Sequence, residues 1–313
     1  MNKFALLCPG QGAQTAEMFD LATASLSGAA FLKTLDDSDV FSLPLTQVLA
    51  STELLFENRY AQPLIVAASL ANWQVIRHAL PAPALVAGYS VGEISAHAVS
   101  GSLDIQTAIH LAASRAQMMQ ACVTQSAPQR MLAVSGINIA ELQVFASQHR
   151  LHVAIVTAEN KAIIAGLADD IALAIPALQD MPGHDISHTI IPVHIASHTP
   201  LMQGAVPAFT QLLMQSPVVV SNTSVLAGVS AETVTTPEQI CSSLVEQLTH
   251  PIQWAACMDA CAEKGIRFAL ELGPGSALST MLQARHPHIA CRSVADFRSL
   301  DGVIAWVKRQ LES

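Results

Sequence analysis

The apolar run Ala84-Leu85-Val86-Ala87 and the pentapeptide it enters, Gly88-Tyr89-Ser90-Val91-Gly92, constrain the fold more than any other stretch. A short run without polar side chains is what a parallel strand covered on both faces shows. The residues from Val91 to about Ser100 keep a helical spacing and stop at Gly101. A serine between such a strand and such a helix occupies a sharp turn, and Gly-x-Ser-x-Gly is the pattern of that turn. Its glycines leave no Cβ to collide with the neighbouring chain. Ser90 Oγ then projects above the sheet, near the helix N-terminus and the Val91 N–H, where donors can stabilise an oxyanion. A nucleophile is one reading and a purely structural turn is the other.

Composition supports a large apolar interior. Across 313 residues, 51% are hydrophobic and 12% charged, which excludes a disordered chain. The length suits one large domain or two intimate ones. Fifteen Lys+Arg against 24 Asp+Glu give a net charge of −9 with no basic cluster, so nucleic acid is not an expected partner. The mean hydropathy of +0.40 raises the question of a membrane. Every apolar stretch is broken before the roughly 18 residues that a span requires, so no spanning helix is expected. Phe4–Cys8 followed by Pro9-Gly10 is too short for a signal-peptide core and reads as a strand entering a turn, which makes a cytoplasmic location the expectation. Six cysteines show no Cys-x-x-Cys spacing. Cys257 and Cys261 share a helix face, so buried thiols are expected, without disulfides or a metal site.

The rest of the chain alternates strands and helices. Residues 4–8 read as a strand, 62–79 as a helix and 104–122 as a helix capped by Asp104. From 130 the order changes: strand 131–135, helix 139–148, strands 152–156 and 162–166, helix 169–178, strand 187–193. That β-α-β-β-α-β order is the pattern of a ferredoxin-like module. Helix 200–214, strand 218–221, helix 252–264 and strand 268–272 resume the α/β alternation. The expectation is an α/β core, 1–127 and 195–313, with a parallel sheet and an inserted small subdomain, 128–194.

A serine nucleophile needs a base, and twelve histidines leave the choice open. His97 lies two helical turns from Ser90 and should point away from the oxyanion site. His110 falls in an apolar helix and reads as a core residue. His198 sits in a loop after the module's last strand, the kind of place where catalytic partners gather. Arg115 is the only Lys, Arg, Asp or Glu between Asp104 and Arg130. A cation there needs an anion, either an internal carboxylate or a bound one, and its planar fork suits two parallel hydrogen bonds. Pro9-Gly10-Gln11-Gly12 lacks the spacing of a P-loop or a dinucleotide fold. Glu93 reads as a complement to the helix N-terminus.

These residues together resemble the malonyl-CoA:acyl-carrier-protein transacylase family over essentially the whole chain. The matching blocks are Cys8–Gln14, Gly88–Glu93, Ser114–Gln120, Ala196–His198, Gln247–Trp254 and Glu271–Gly275. The resemblance implies an α/β-hydrolase-like core with a ferredoxin-like subdomain, and a serine acyltransferase. By it Ser90 is the acylated nucleophile, His198 the base, and Gln247 the carbonyl acceptor orienting that histidine. Gln11 and Val91 supply the oxyanion-hole amides, and Arg115 holds the malonyl carboxylate. Malonyl passes from malonyl-CoA to Ser90 and then to the phosphopantetheine-type thiol of an acyl carrier protein. Neither a metal nor a redox cofactor is called for.

Two departures bear on the acceptor. The family usually has histidine before the nucleophile, where this chain has Tyr89. An Asn-x-Asn-Ser-Pro run is replaced by Thr157-Ala-Glu-Asn-Lys161. Gly-Tyr-Ser-Val-Gly-Glu resembles the transacylase subunit of biotin-independent malonate decarboxylases, which points to the carrier subunit of that enzyme. The alternatives are the transacylase of fatty acid synthesis and a serine thioesterase or esterase.

Overall fold

The computed structural model describes residues 2–124, 127–183 and 185–312. Its strands are β1 (Lys3–Cys8), β2 (Leu85–Gly88), β3 (Gln129–Ser135), β4 (His152–Ala158), β5 (Lys161–Leu167) and β6 (Ser187–Ile191). They continue as β7 (Ser224–Leu226), β8 (Thr233–Val234), β9 (Ile252–Gln253), β10 (Ile266–Glu271) and β11 (Ala290–Ser293). Six form one sheet in the order β11-β10-β1-β2-β7-β8, parallel except for β8. The central strands β1 and β2 are apolar from Phe4 to Cys8 and from Leu85 to Gly88 because each face is covered. Phe4, Leu6, Cys8 and Val86 enter one core, while Ala5, Leu7, Leu85 and Ala87 enter the other.

The helix Asn58–Ile76 is buried along most of its length and packs against Ile105–Gln120. It begins four residues before the start expected at 62. Asn58 lies outside the expected range, yet it and Gln62 are both buried polar residues of the helix. Asn58 Nδ2 donates to the Ala116 carbonyl at 2.8 Å, and Gln62 Nε2 donates to Asn58 Oδ1 at 2.9 Å. The expected helix 200–214 is split into a 3₁₀ segment, Pro200–Ala205, and an α-helix, Val206–Gln215. Pro207, lacking an N–H, suits the first turn of that second helix.

The strand expected at 218–221 is absent there. Val219 and Val220 are more than half exposed, and the chain pairs with β2 only at Ser224–Leu226, where Val225 and Leu226 are buried. Three valines in a row supply β-propensity, but burial decides where the strand forms.

The second sheet has the order β6-β3-β5-β4-β9. β3 is antiparallel to β5 and β6, β4 is antiparallel to β5, and β9 is parallel to β4. The helices Ile139–Gln148 and Ala168–Gln179 pack on it, with Leu132, Phe145, Ile164 and Leu178 in a separate core. β9 occupies the first two residues of the helix expected at 252–264, which instead begins at Trp254. Ile252 and Gln253 pair with Ile155 and Val156 of β4, so the sheet pairing overrides the helical pattern. The β4–β5 hairpin, where the Thr157–Lys161 departure lies, is tied down as well. Arg285 reaches Glu159 at 2.7 Å and Asp259 at 2.6 Å. Among the described residues, no helix is long and apolar enough to cross a membrane.

Candidate active site

Ser90 lies two residues after the end of β2 and two before the helix Gly92–Ser100. Its backbone has φ +56°, a left-handed conformation that a serine adopts only when the surroundings enforce it. The two glycines show how they do so. A Cβ at Gly92 would stand 2.1 Å from the Cys8 carbonyl oxygen, and one at Gly88 would stand 2.3 Å from the Glu93 backbone. Turn and strand are therefore in backbone contact. The Pro9–Gly12 loop closes over the same point, since a Cβ at Gly10 would lie 2.7 Å from the Tyr89 carbonyl oxygen and 3.5 Å from Ser90 Cβ. Gln14, buried, pins the loop by accepting from the Gly12 N–H at 2.5 Å and donating to Leu55. Gly10, next to Gln11 in the chain, thus sits beside Ser90, and Val91 is the buried N-cap of the helix.

Ser90 Oγ lies 2.8 Å from His198 Nε2. His198 Nδ1 donates to the backbone carbonyl of Gln247. A carbonyl only accepts, so this bond puts the ring proton on Nδ1 and leaves the Nε2 lone pair toward the serine hydroxyl. Burial pushes the His198 pKa down to about 3; the charge of Arg115 adds to the fall, and the Gln247 carbonyl opposes it. The imidazole is neutral at pH 7. His97 is buried elsewhere, and its ring nitrogens have no hydrogen-bond partner among the described residues. His110, expected in the core, is exposed on the outer face of Ile105–Gln120. An apolar helix still has a solvent side, and His110 lies on it.

Arg115 is 1% exposed. Its Nη1 donates to Gln62 Oε1 at 2.6 Å and its Nη2 to Gln247 Oε1 at 3.3 Å, while Nε has no partner among the described residues. Its hydrogen-bonding partners are neutral amides. Burial lowers its pKa to about 10 and the field of Glu93 opposes that fall, so it is a cation at pH 7. An internal ion pair, one of the two readings of the sequence, is not what holds it.

Sequence reasoning missed Gln62 and Ser243 and misjudged Glu93. Glu93 is in the first turn of its helix, but its carboxylate serves other elements. It accepts from the Gly228 N–H at 3.0 Å, from Gln247 Nε2 at 3.1 Å and from the Ser243 hydroxyl. Burial raises its pKa to about 7 against those hydrogen bonds and the Arg115 charge. An acid inside a fully buried helix was the available signal. Among the described residues no group of three or more His, Cys, Asp or Glu could hold a metal ion, and Cys257 and Cys261 are buried free thiols.

Ser90, His198, Gln247 and Arg115 thus meet in one place: an activated hydroxyl with a neutral base, next to a buried cation that makes no ion pair among the described residues. Residues 5–297 match the acyl transferase domain family. The malonyl CoA-acyl carrier protein transacylase of Mycobacterium tuberculosis is 32% identical over 305 residues, covering 95% of this chain and 98% of that protein. FabD from Acinetobacter baumannii has a similar structure, with a TM-score of 0.89, 26% identity and coverage of 98% and 99%. A malonyl-transacylase in complex with its type II PKS acyl-carrier protein aligns with a TM-score of 0.89, 27% identity and coverage of 97% and 99%. The chain is an acyltransferase and belongs to the malonyl-CoA:acyl-carrier-protein transacylase family.

Proposed function

We propose that this protein transfers malonyl from malonyl-CoA to the thiol of an acyl carrier protein through an ester on Ser90. The observation that carries the reading is Gln247, whose backbone carbonyl holds the base of the serine and whose side-chain carbonyl touches the unpaired Arg115. Chemistry and selection for an acyl carboxylate are thereby built on one residue.

In the first half-reaction Ser90 Oγ attacks the thioester carbonyl while His198 Nε2 takes its proton. The Gln11 and Val91 N–H groups hold the oxyanion. The C–S bond breaks, and the coenzyme A sulfur leaves with the proton from His198. In the second, His198 takes the proton of the carrier thiol, whose sulfur attacks the ester; the acyl C–O bond breaks and Ser90 Oγ leaves with that proton. Gln247 accepts from Nδ1 throughout. A malonyl carboxylate on Arg115 neutralises the charge that depresses His198, so the proper substrate strengthens its own base. No cofactor enters either step.

Tyr89, whose ring meets Trp254 edge-on at 5.3 Å, favours a decarboxylase subunit as the narrower reading. The named relatives favour a general acyl carrier protein, and that acceptor is preferred. Segment 128–194 is read as an inserted ferredoxin-like module on an α/β-hydrolase-like core, on the strength of the antiparallel order β6-β3-β5-β4.

Coenzyme A release from malonyl-CoA tests the reading. One equivalent should appear without an acceptor, and continuous release only with a carrier thiol. Continuous free malonate without an acceptor would make the protein a hydrolase. Faster transfer to a decarboxylase carrier than to a fatty-acid carrier would restore the narrower reading.

A further inference from the structure

Glu93 lies inside the protein, 0% exposed, on the helix that begins at the nucleophile turn. A residue that merely complemented a helix N-terminus would face the first-turn amides. This carboxylate instead gathers donors from elsewhere: the Gly228 amide, the Ser243 hydroxyl and the Gln247 side-chain amide.

The last of these has a consequence for the orientation of Gln247. A carboxamide has one donating and one accepting end, and Glu93 Oε2, which already receives the Gly228 N–H, is an acceptor. With Glu93 beside it, Gln247 must turn its NH₂ to the acid, which leaves Oε1 toward the Arg115 guanidinium. Were the amide reversed, its NH₂ would face the guanidinium, donor against donor. The distances agree with the first arrangement: Gln247 Nε2 to Glu93 Oε2 is 3.1 Å, and Arg115 Nη2 to Gln247 Oε1 is 3.3 Å. Gln62 holds the other terminal nitrogen, so the guanidinium plane is fixed at two points. Fixing that plane decides how its remaining N–H groups meet an incoming carboxylate.

We propose that Glu93 is a positioning residue for substrate selection: through the Gln247 side chain it sets the orientation in which Arg115 receives the acyl carboxylate. The proposal rests on the malonyl-transfer reading above. Glu93 does not touch substrate, and it selects only by way of Gln247 and Arg115.

The test is the ratio of kcat/KM for malonyl-CoA to that for acetyl-CoA, measured for Glu93→Gln with Arg115 intact and again in an Arg115→Ala background. Glu93→Gln keeps the size of the side chain but removes its charge and brings an NH₂ that can face Gln247, so the Gln247 amide can reverse. The ratio should fall at least fivefold with Arg115 present and stay unchanged in Arg115→Ala. A ratio unaffected by Glu93→Gln overturns the proposal, as does an equal fall in both backgrounds, because a loosened fold would not respect the presence of Arg115. A rise also overturns it, since Glu93 would then be an anion competing for Arg115. If Glu93→Gln does not fold, Gln247→Ala replaces it: removing the side-chain link must lower the same ratio, and an unchanged ratio is fatal. Failure of the unmodified enzyme to transfer malonyl would remove the underlying reading along with this one. Transfer with an unaltered ratio removes only this one.

Discussion

His198 and Arg115 act on each other before any substrate arrives. The buried imidazole is held neutral partly by the guanidinium charge, and its Nδ1–H is absorbed by the Gln247 carbonyl. Replacing His198 with alanine removes the proton acceptor and should slow acylation by about 10²–10⁴, the usual contribution of a general base; rapid-quench acylation with malonyl-CoA measures it. Arg115→Ala leaves acetyl transfer nearly intact and costs malonyl transfer roughly 30-fold or more, because removing one partner of a buried charge pair is worth about 2–5 kcal/mol. Arg115→Lys should recover part of that loss, as a point charge cannot form the fork. The same Arg115→Ala change should raise the His198 pKa, since the guanidinium lowers it. The acid limb of kcat/KM for acetyl-CoA would then move to higher pH. An unmoved limb would mean that the two residues do not sense each other. Ser90 and Arg115 were legible in the sequence, because a motif and a lone charge mark them; His198 was one candidate among twelve histidines, and it and Gln247 took their roles from the family resemblance. The links between them were not: Gln62 comes from another part of the chain, and Glu93 and Ser243, three residues from Ser90 and four from Gln247, are brought to each other only by folding.

At the level of the element, the strand–turn–helix around Ser90 was readable because its constraint is local. Gly88 and Gly92 pack backbone on backbone, and the turn residue takes a left-handed φ. Gly92→Ala would drive a methyl to 2.1 Å from the Cys8 carbonyl oxygen. The turn must shift, and a cost of about 1–3 kcal/mol is expected for such overpacking. Thermal unfolding of Gly92→Ala should show the loss, accompanied by slower acylation because Ser90 is displaced from His198. A folded variant of native activity would mean that the contact is slack. Elements fixed by distant partners were misread. Val218–Ser221 has the composition of a strand but faces solvent, whereas β7 forms where Val225 meets β2. Ile252 and Gln253 follow a helical pattern yet pair with β4. Local pattern reports propensity, and partners decide the outcome.

Across the whole molecule, the buried titratable groups set opposing pH dependences. His97 and His198 have pKa values of about 3 against an ordinary 6.5. Below pH 6.5 the unfolded chain binds protons there that the folded chain refuses, so acid destabilises. Glu93 and Glu271 have pKa values raised from 4.5 to about 7 by burial. Between those values the folded chain holds protons that the unfolded one releases, so acid stabilises. The two pairs offset each other from pH 6.5 to 4.5. Below 4.5 the histidines act alone, joined by the lowered carboxyls of Asp259 and Glu159 at their Arg285 link. Urea midpoints should therefore change little down to about pH 4.5 and fall steeply beneath it. His97→Leu removes a buried ring without hydrogen-bond partners and should add about 1–3 kcal/mol at pH 7. It should also soften the acid limb. A destabilised His97→Leu would show that the ring is satisfied in solution.

The measurement closest to the central claim is peptide mass spectrometry of the enzyme after brief exposure to malonyl-CoA, before and after a carrier thiol is added. A malonyl ester should appear on the Ser90 peptide, disappear when the carrier protein is supplied, and reappear on the carrier. Ser90→Ala should carry no adduct and transfer nothing. Malonyl transfer that persists in Ser90→Ala, or an adduct on any other residue, would contradict the account.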